Sequence, residues 1–269
     1  MSRRRVGITA DRRWEEQARM FADRGVDVDH APTMRTIDLT ADEALRTVTS
    51  ELAVHPPDYL IVSTGMGMRR WLEAAAGWGL DTALLAGLAA STRVVARGAK
   101  ANSAARGANL DVWWRAPEET MQEIVDHLAA HDDTADSRVA LQLFDPEGNP
   151  FTEILRAMAG ELVEVPVYQW ALPDDHGPAQ ELVRATVAGE VDAVTFTAQP
   201  AVHNLFRIAG EVHLREQLVA AFNGGVVVSC VGPVCASAAT DEGIATPLWP
   251  DPPRLSPMVR QVVARLAGT

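Results

Sequence analysis

The sequence is written twice. Asp58-Tyr59-Leu60-Ile61-Val62-Ser63-Thr64 resembles Asp192-Ala193-Val194-Thr195-Phe196-Thr197, 134 positions further on. Gly98-Ala99-Lys100-Ala101-Asn102-Ser103-Ala104-Ala105 resembles Gly232-Pro233-Val234-Cys235-Ala236-Ser237-Ala238-Ala239 at the same spacing of 134. At that offset Asn109 faces Gly243, the two residue types that tolerate a left-handed cap after a helix. The earlier parts of each copy match as well. Arg5-Val6-Gly7-Ile8 corresponds to Arg138-Val139-Ala140-Leu141 at offset 133, and Gly25-Val26-Asp27-Val28 to Gly160-Glu161-Leu162-Val163 at offset 135. Each copy therefore reads strand–helix–strand, then strand–helix–strand–helix–strand. Two copies are too few for a stacked solenoid, so the pattern predicts a duplicated α/β domain.

Short β-rich runs at 6–10, 59–63, 93–96, 139–144, 163–170, 193–197 and 226–231 alternate with helical stretches such as 41–52, 119–130, 180–188 and 257–266. Such alternation predicts parallel sheets covered on both faces. Ligands of these sheets bind beyond the carboxyl ends of the strands. The segments to watch are therefore 10–13, 64–70, 97–100, 145–150, 198–202 and 232–237. A length of 269 residues suits two domains, and 47% hydrophobic residues are enough to build their cores. No apolar run reaches the roughly 18 residues of a membrane span. The N-terminus enters a strand-like run without an apolar leader, which makes the cytoplasm the expected compartment. A formal charge of −12 disfavours nucleic acid as a partner of this chain and leaves acidic ligands to local basic linings.

No phosphate-binding glycine motif is present. Gly65-Met66-Gly67 follows a strand but lacks the third glycine of a dinucleotide loop, and there is no P-loop or nucleophile elbow. Cys230 and Cys235 are the only cysteines, which excludes a disulfide framework. His127 and His131 are four apart with Asp126, Asp132 and Asp133 nearby, but no further ligand is signalled, so no metal is expected. Cys235 lies in the first turn of a helix begun by Gly232-Pro233; it is read as a buried small side chain rather than a reactive thiol. Lys100 begins a helix just after Arg97-Gly98-Ala99, a plausible seat for a carboxylate or phosphate, and equally a solvated helix start. Arg12-Arg13 has the same standing, and Arg69 and Arg70 are weaker. Tyr168, one of two tyrosines, lies in Val165-Pro166-Val167-Tyr168-Gln169-Trp170. It can offer a hydroxyl to a cleft or pack its ring on a core.

The ordered set of segments resembles the uroporphyrinogen-III synthase family over essentially the whole chain. Asp192-Ala193-Val194-Thr195-Phe196-Thr197 followed by Ala201-Val202 resembles that family's Asp-x-Val-x-Phe-Thr-Ser-x-x-Ala-Val segment. Val231-Gly232-Pro233-Val234-Cys235-Ala236 is similar to its Ile-Gly-Pro-Thr-Thr-Ala helix start, and Val163-Glu164-Val165-Pro166-Val167-Tyr168 to its valine-rich strand with a tyrosine. The resemblance implies two flavodoxin-like α/β domains joined by a two-stranded β-ladder: a discontinuous one of residues 1–36 and 171–269, and one of residues 37–170. Movement is then expected about joints near 33–40 and 167–173.

The resemblance also implies the reaction. Hydroxymethylbilane, a linear tetrapyrrole, is cyclised to uroporphyrinogen III with loss of water and inversion of ring D, and no metal or cofactor is needed. Tyr168 matches the tyrosine that helps the hydroxyl leave. Substrate-binding residues are expected at Arg12, Arg13, Ser63, Thr64, Gly65, Arg97, Lys100, Thr197, Ala198, Gly232 and Cys235. Ala198 stands in place of the family's serine, and Cys235 in place of its second threonine. A monomer is expected. The alternative is a ligand-sensing regulator domain of the same fold, normally fused to a winged-helix DNA-binding domain. An FMN protein of flavodoxin type ranks last, because no hydroxyl-rich phosphate loop is present.

Overall fold

The computed structural model describes residues 4–131, 134–143 and 150–268. The expectations placed on Asp132, Asp133 and 144–149 lie outside these residues. Along the chain the strands are β1 (Arg5–Ile8), β2 (Asp27–His30), β3 (Arg35–Asp38), β4 (Tyr59–Val62), β5 (Arg93–Ala96), β6 (Val112–Arg115), β7 (Arg138–Leu143), β8 (Glu161–Pro166), β9 (Tyr168–Ala171), β10 (Ala193–Phe196) and β11 (Val227–Cys230). The α-helices are α1 (Trp14–Ala22), α2 (Glu43–Val54), α3 (Gly65–Gly77), α4 (Asp81–Ser91), α5 (Ala99–Gly107), α6 (Met121–Ala129), α7 (Pro150–Met158), α8 (Gly177–Val187), α9 (Gln199–Glu211), α10 (Arg215–Asn223), α11 (Pro233–Asp241) and α12 (Leu255–Ala267). They form two compact units. Unit 1 joins Met1–Arg35 to Ala171–Thr269, and unit 2 is Thr36–Trp170.

Unit 2 carries a parallel sheet in the order β6-β5-β4-β7-β8. Its central strands are buried on both faces, and side chains alternate between them. Tyr59 and Ile61 of β4 join Val95, Val139 and Leu141 under Ile124 and Leu128 of α6 and Leu155 of α7. Leu60 and Val62 point the other way, into a core with Leu45, Leu52, Met68, Trp71 and Leu84 from α2, α3 and α4. Burying each such side chain contributes about 1.5–3 kcal/mol. Trp71 has a polar atom to satisfy: its indole N–H donates to Thr49 Oγ1 at 2.8 Å, and the Thr49 hydroxyl donates to the Leu45 carbonyl at 2.6 Å.

Unit 1 repeats the plan with the parallel order β11-β10-β1-β2. Val6, Ile8 and Ala193 pack under Phe21 of α1 and Val259, Val262 and Leu266 of α12. On the opposite face Gly7 leaves room for Leu182 of α8, whose Cδ1 would lie 2.5 Å from a Cβ. Leu248 bridges to β11 where unit 2 has a fifth strand.

The repeat reappears in the hydrogen bonds. The Asp58 carboxylate accepts from the Arg138 N–H at 2.8 Å, and the Asp192 carboxylate from the Arg5 N–H at 2.8 Å. The turn after α5 closes through the Leu110 N–H on the Ala105 carbonyl at 3.1 Å, and the turn after α11 through the Ile244 N–H on the Ala239 carbonyl at 3.1 Å. Between them sit Asn109 and Gly243 at φ 59 and 96, the left-handed pair expected from the offset. The copies have exchanged parts: β1, α1 and β2 complete the sheet of β10 and β11, while β7, α7 and β8 complete that of β4 and β5.

Three expectations need correction. The run 163–170 is not one strand. β8 ends at Pro166 in the five-stranded sheet, and β9 belongs to a two-stranded sheet with β3. Proline supplies no N–H to continue a ladder, and Val167 turns its own N–H back onto the Val165 carbonyl at 3.1 Å. The helix expected over 119–130 begins at Met121, because Thr120 caps it through a capping box with Glu123 and Glu119 adopts φ 62. β6, the strand that closes the second half of the first copy, lies outside the β-rich runs named above; it is a sheet edge along which Val-Trp-Trp-Arg alternates in exposure.

Candidate active site

Open parallel sheets place ligands at the carboxyl end of the strands where the order reverses. In unit 2 that point lies between β4 and β7. The first residue after β4, Ser63, is buried, and its hydroxyl donates to the Gln142 carbonyl at 2.7 Å. Ser63 thus fastens the two strands and turns away from solvent. Thr64 follows as the N-cap of α3, with its Oγ1 accepting the Gly67 N–H at 3.1 Å. The same oxygen is met by the Tyr168 hydroxyl at 3.1 Å. Tyr168 opens β9 and is only 1% exposed; its ring packs in the core of α2–α5 while its hydroxyl reaches this helix start.

The glycines here are required by close approach. A Cβ on Gly65 would strike the Lys100 carbonyl, and one on Gly67 would strike the Gln142 carboxamide. Gln142 is wholly buried; its Oε1 faces the Thr64 N–H at 3.4 Å, and its Nε2 has no hydrogen-bond partner among the described residues. Arg97 follows β5. Burial pushes its guanidinium below the ordinary arginine range, while Tyr168 and Glu119 pull it back up. Lys100 is exposed in the first turn of α5. The expected carboxylate seat at that turn is already taken from within: Glu119 accepts the Ala99 N–H at 2.9 Å. Arg70 is committed to Asp38 at 3.1 Å.

The structure therefore brings Ser63, Thr64, Gly65, Arg97, Lys100 and Tyr168 to one end of unit 2. It adds Gln142 and Glu119, which the sequence reading passed over. Gln142 was visible as the one polar side chain in the apolar run Val139-Ala140-Leu141-Gln142-Leu143. Glu119 was hidden by the helical stretch it precedes.

The other expected residues lie at the corresponding end of unit 1. Thr9 donates to the Thr195 carbonyl at 2.8 Å and Gln17 to Thr195 Oγ1 at 2.8 Å, the local equivalent of the Ser63 fastening. Arg12 is exposed, and Arg13, at φ 58, pairs with Glu16 at 2.6 Å. His30 holds the preceding turn: its Nε2 lies 2.9 Å from the Ala10 carbonyl, and its ring stacks on Trp14 at 3.9 Å. Thr197 is half-buried, and Ala198 begins α9 with no side-chain cap. Gly232 begins α11 likewise, and Val234 after it is 57% exposed. Cys235 is buried against Cys230; that contact and burial push its thiol far up, so it stays protonated. The helix starts of unit 1 thus offer backbone N–H groups where unit 2 offers side chains.

Among the described residues no three His, Cys, Asp or Glu side chains converge as metal ligands. His127 instead stacks on Trp114 at 4.0 Å, and His131 Nδ1 lies 2.7 Å from the His127 carbonyl. No described helix is long and apolar enough to cross a membrane.

Known proteins share this sequence pattern and fold. The sequence pattern of the family described as uroporphyrinogen-III synthase HemD matches residues 15–260. A crystal structure of a mutant uroporphyrinogen III synthase from the extremely thermophilic bacterium Thermus thermophilus superposes with a TM-score of 0.80 at 25% identity, covering 99% of this chain and 100% of that one. A putative uroporphyrinogen-III synthase of Methanothermobacter thermautotrophicus is 39% identical over 90 residues, which span 34% of this chain and 34% of that relative. The Bacillus subtilis protein YjjA, itself uncharacterized, is 26% identical over 259 residues, 95% of this chain and 93% of that protein. With the pattern covering most of the sequence and the fold shared end to end, the chain belongs to the uroporphyrinogen-III synthase family.

Proposed function

We propose that the protein is a uroporphyrinogen-III synthase, a lyase that cyclises hydroxymethylbilane to uroporphyrinogen III. The observation that carries the reading is the Tyr168 hydroxyl, held 3.1 Å from Thr64 Oγ1 at the carboxyl end of β4. The pyrrole nitrogen of ring A supplies the electron pair that expels the hydroxyl. The carbon–oxygen bond breaks, and the oxygen takes the phenolic proton and leaves as water. Ring D attacks through its substituted carbon, and the spiro intermediate reopens and closes with that ring inverted. The proton that ring D loses on regaining aromaticity restores the phenol. Since the same substrate closes without inversion when left alone, the protein contributes mainly by holding a folded conformer.

Arg97 and Lys100 supply positive charge for the substrate's carboxylates, and Glu119 yields the Ala99 N–H to one of them. In unit 1, Arg12 and Thr197 keep side chains suited to the same ligand chemistry, while Ala198 and Gly232 provide backbone donors. Cys235 contributes packing beneath such a contact rather than the contact itself. The named synthases among the relatives favour this reading over a regulator. A monomer in the cytoplasm, using no cofactor, completes the proposal. Incubation with hydroxymethylbilane and separation of the isomers tests it. The expected product is isomer III; isomer I alone, formed at the uncatalysed rate, would overturn it.

A further inference from the structure

We infer that Thr64 is a positioning residue for Tyr168: its hydroxyl orients the phenolic O–H and becomes the donor to the phenol oxygen when that O–H is given to the leaving hydroxyl. The inference rests on the synthase reading above.

The two oxygens are 3.1 Å apart, with the phenol donating to Thr64. Thr64 Oγ1 also accepts the Gly67 N–H at 3.1 Å, which fixes that oxygen on the first turn of α3. A hydroxyl has one proton and two lone pairs. Thr64 therefore still holds a proton, and the bond to Tyr168 can reverse direction without either oxygen moving. The residue is also held from behind. Gln142 Oε1 faces its N–H at 3.4 Å, and the Gln142 carboxamide and the Lys100 carbonyl fill the spaces beside Gly67 and Gly65. The phenolate formed as water leaves then meets a donor already in place, with the Arg97 guanidinium close enough to interact with it.

Unit 1 contains an internal control. Ala198, 134 positions after Thr64, begins α9 with nearly the same backbone, φ −148 and ψ 143 against φ −142 and ψ 142. It has no hydroxyl, and the helix forms. Capping alone does not account for Thr64. The copy that keeps the hydroxyl is the copy whose helix start Tyr168 reaches.

The test compares Thr64→Val, which keeps the shape and loses the hydroxyl, with Thr64→Ser, which keeps the hydroxyl. Each is made alone and with Tyr168→Phe, and folding is checked by circular dichroism. The expected result is a kcat for Thr64→Val lower by about 10–100-fold, the range for a hydrogen bond to a charged group. KM should stay within about threefold, as for an interaction made in the transition state. Thr64→Ser should restore kcat, and Thr64→Val should slow Tyr168→Phe no further.

The chain has two tyrosines, so ultraviolet titration in a Tyr59→Phe background reads Tyr168 alone. Its midpoint should rise in Thr64→Val and not in Thr64→Ser. Equal loss in the valine and serine variants would overturn the proposal, as would full multiplication of the two defects or an unmoved midpoint. A wild-type protein that makes no isomer III would overturn the synthase reading instead. The titration would still decide whether Thr64 governs Tyr168.

Discussion

A phenol carries its proton at neutral pH and can donate it to a departing oxygen. General acids of this kind contribute about 10²–10⁴-fold, and here the pyrrole nitrogen already drives departure. Tyr168→Phe is therefore expected to slow turnover within that range while leaving the isomer ratio of the enzymatic product unchanged, because orientation decides which carbon of ring D attacks. Product chromatography against time measures both. The neighbouring glycine behaves differently. Alanine would ordinarily favour α3 at Gly67 by about 1 kcal/mol, but its Cβ would strike the buried Gln142 carboxamide. Overpacking of this kind costs about 1–3 kcal/mol. Gly67→Ala should lower the urea midpoint, and adding Gln142→Ala should recover part of the loss; a rise in the single variant would contradict the geometry. Tyr168 and Thr64 could be picked out in the sequence by resemblance. That they touch could not, because they are 104 positions apart.

Helices and strands were legible where side-chain periodicity and turn chemistry agreed. β4 and β10 stand out as apolar runs after an aspartate, and the helix starts at Gly98 and Gly232 as copies of one another. β6 did not stand out among the β-rich runs, since at the sheet edge its short Val-Trp-Trp-Arg segment alternates only in exposure and has no fully buried residue. The division of β8 from β9 depended on a single proline. On α6 the histidines have a measurable consequence. Burial, and secondarily His131, lower the His127 imidazole below its ordinary value of 6.5. Its stacking on Trp114 is therefore made by the neutral ring. As pH falls below 6.5, the unfolded chain takes up the proton first, so stability present above that pH is lost on acidification. Thermal midpoints should fall across this window in the wild type and fall less in His127→Gln. An equal slope in both would show that His127 does not contribute.

At the scale of the whole molecule the duplication gives two parallel experiments in one chain. Asp58 and Asp192 each accept a backbone N–H from the strand beside them, both at 2.8 Å. Losing such a bond costs about 1 kcal/mol. Asp192 also takes the Arg4 guanidinium at 2.7 Å, so Asp192→Ala should cost somewhat more than Asp58→Ala. The two share no partner, and residues without shared partners add within about 0.3–0.5 kcal/mol. Denaturant titration of the two single variants and the double variant checks this; strong non-additivity would contradict the independence of the two sites.

The exchange of parts between the copies sets a timetable for synthesis. On the ribosome β1 and β2 emerge first, but their partner β10 emerges only after the whole of 36–170 has been made. At about 5–20 residues per second this wait is on the order of 10–40 s. Val6 and Ile8 spend that interval as an uncovered strand edge, the kind of surface on which nascent chains aggregate. The inserted unit has no such delay: its own five strands are contiguous and can close as they appear. The second-made unit must therefore capture a beginning that has been waiting in solution, and a chain arrested at Trp170 would hold one finished unit and one stranded hydrophobic start.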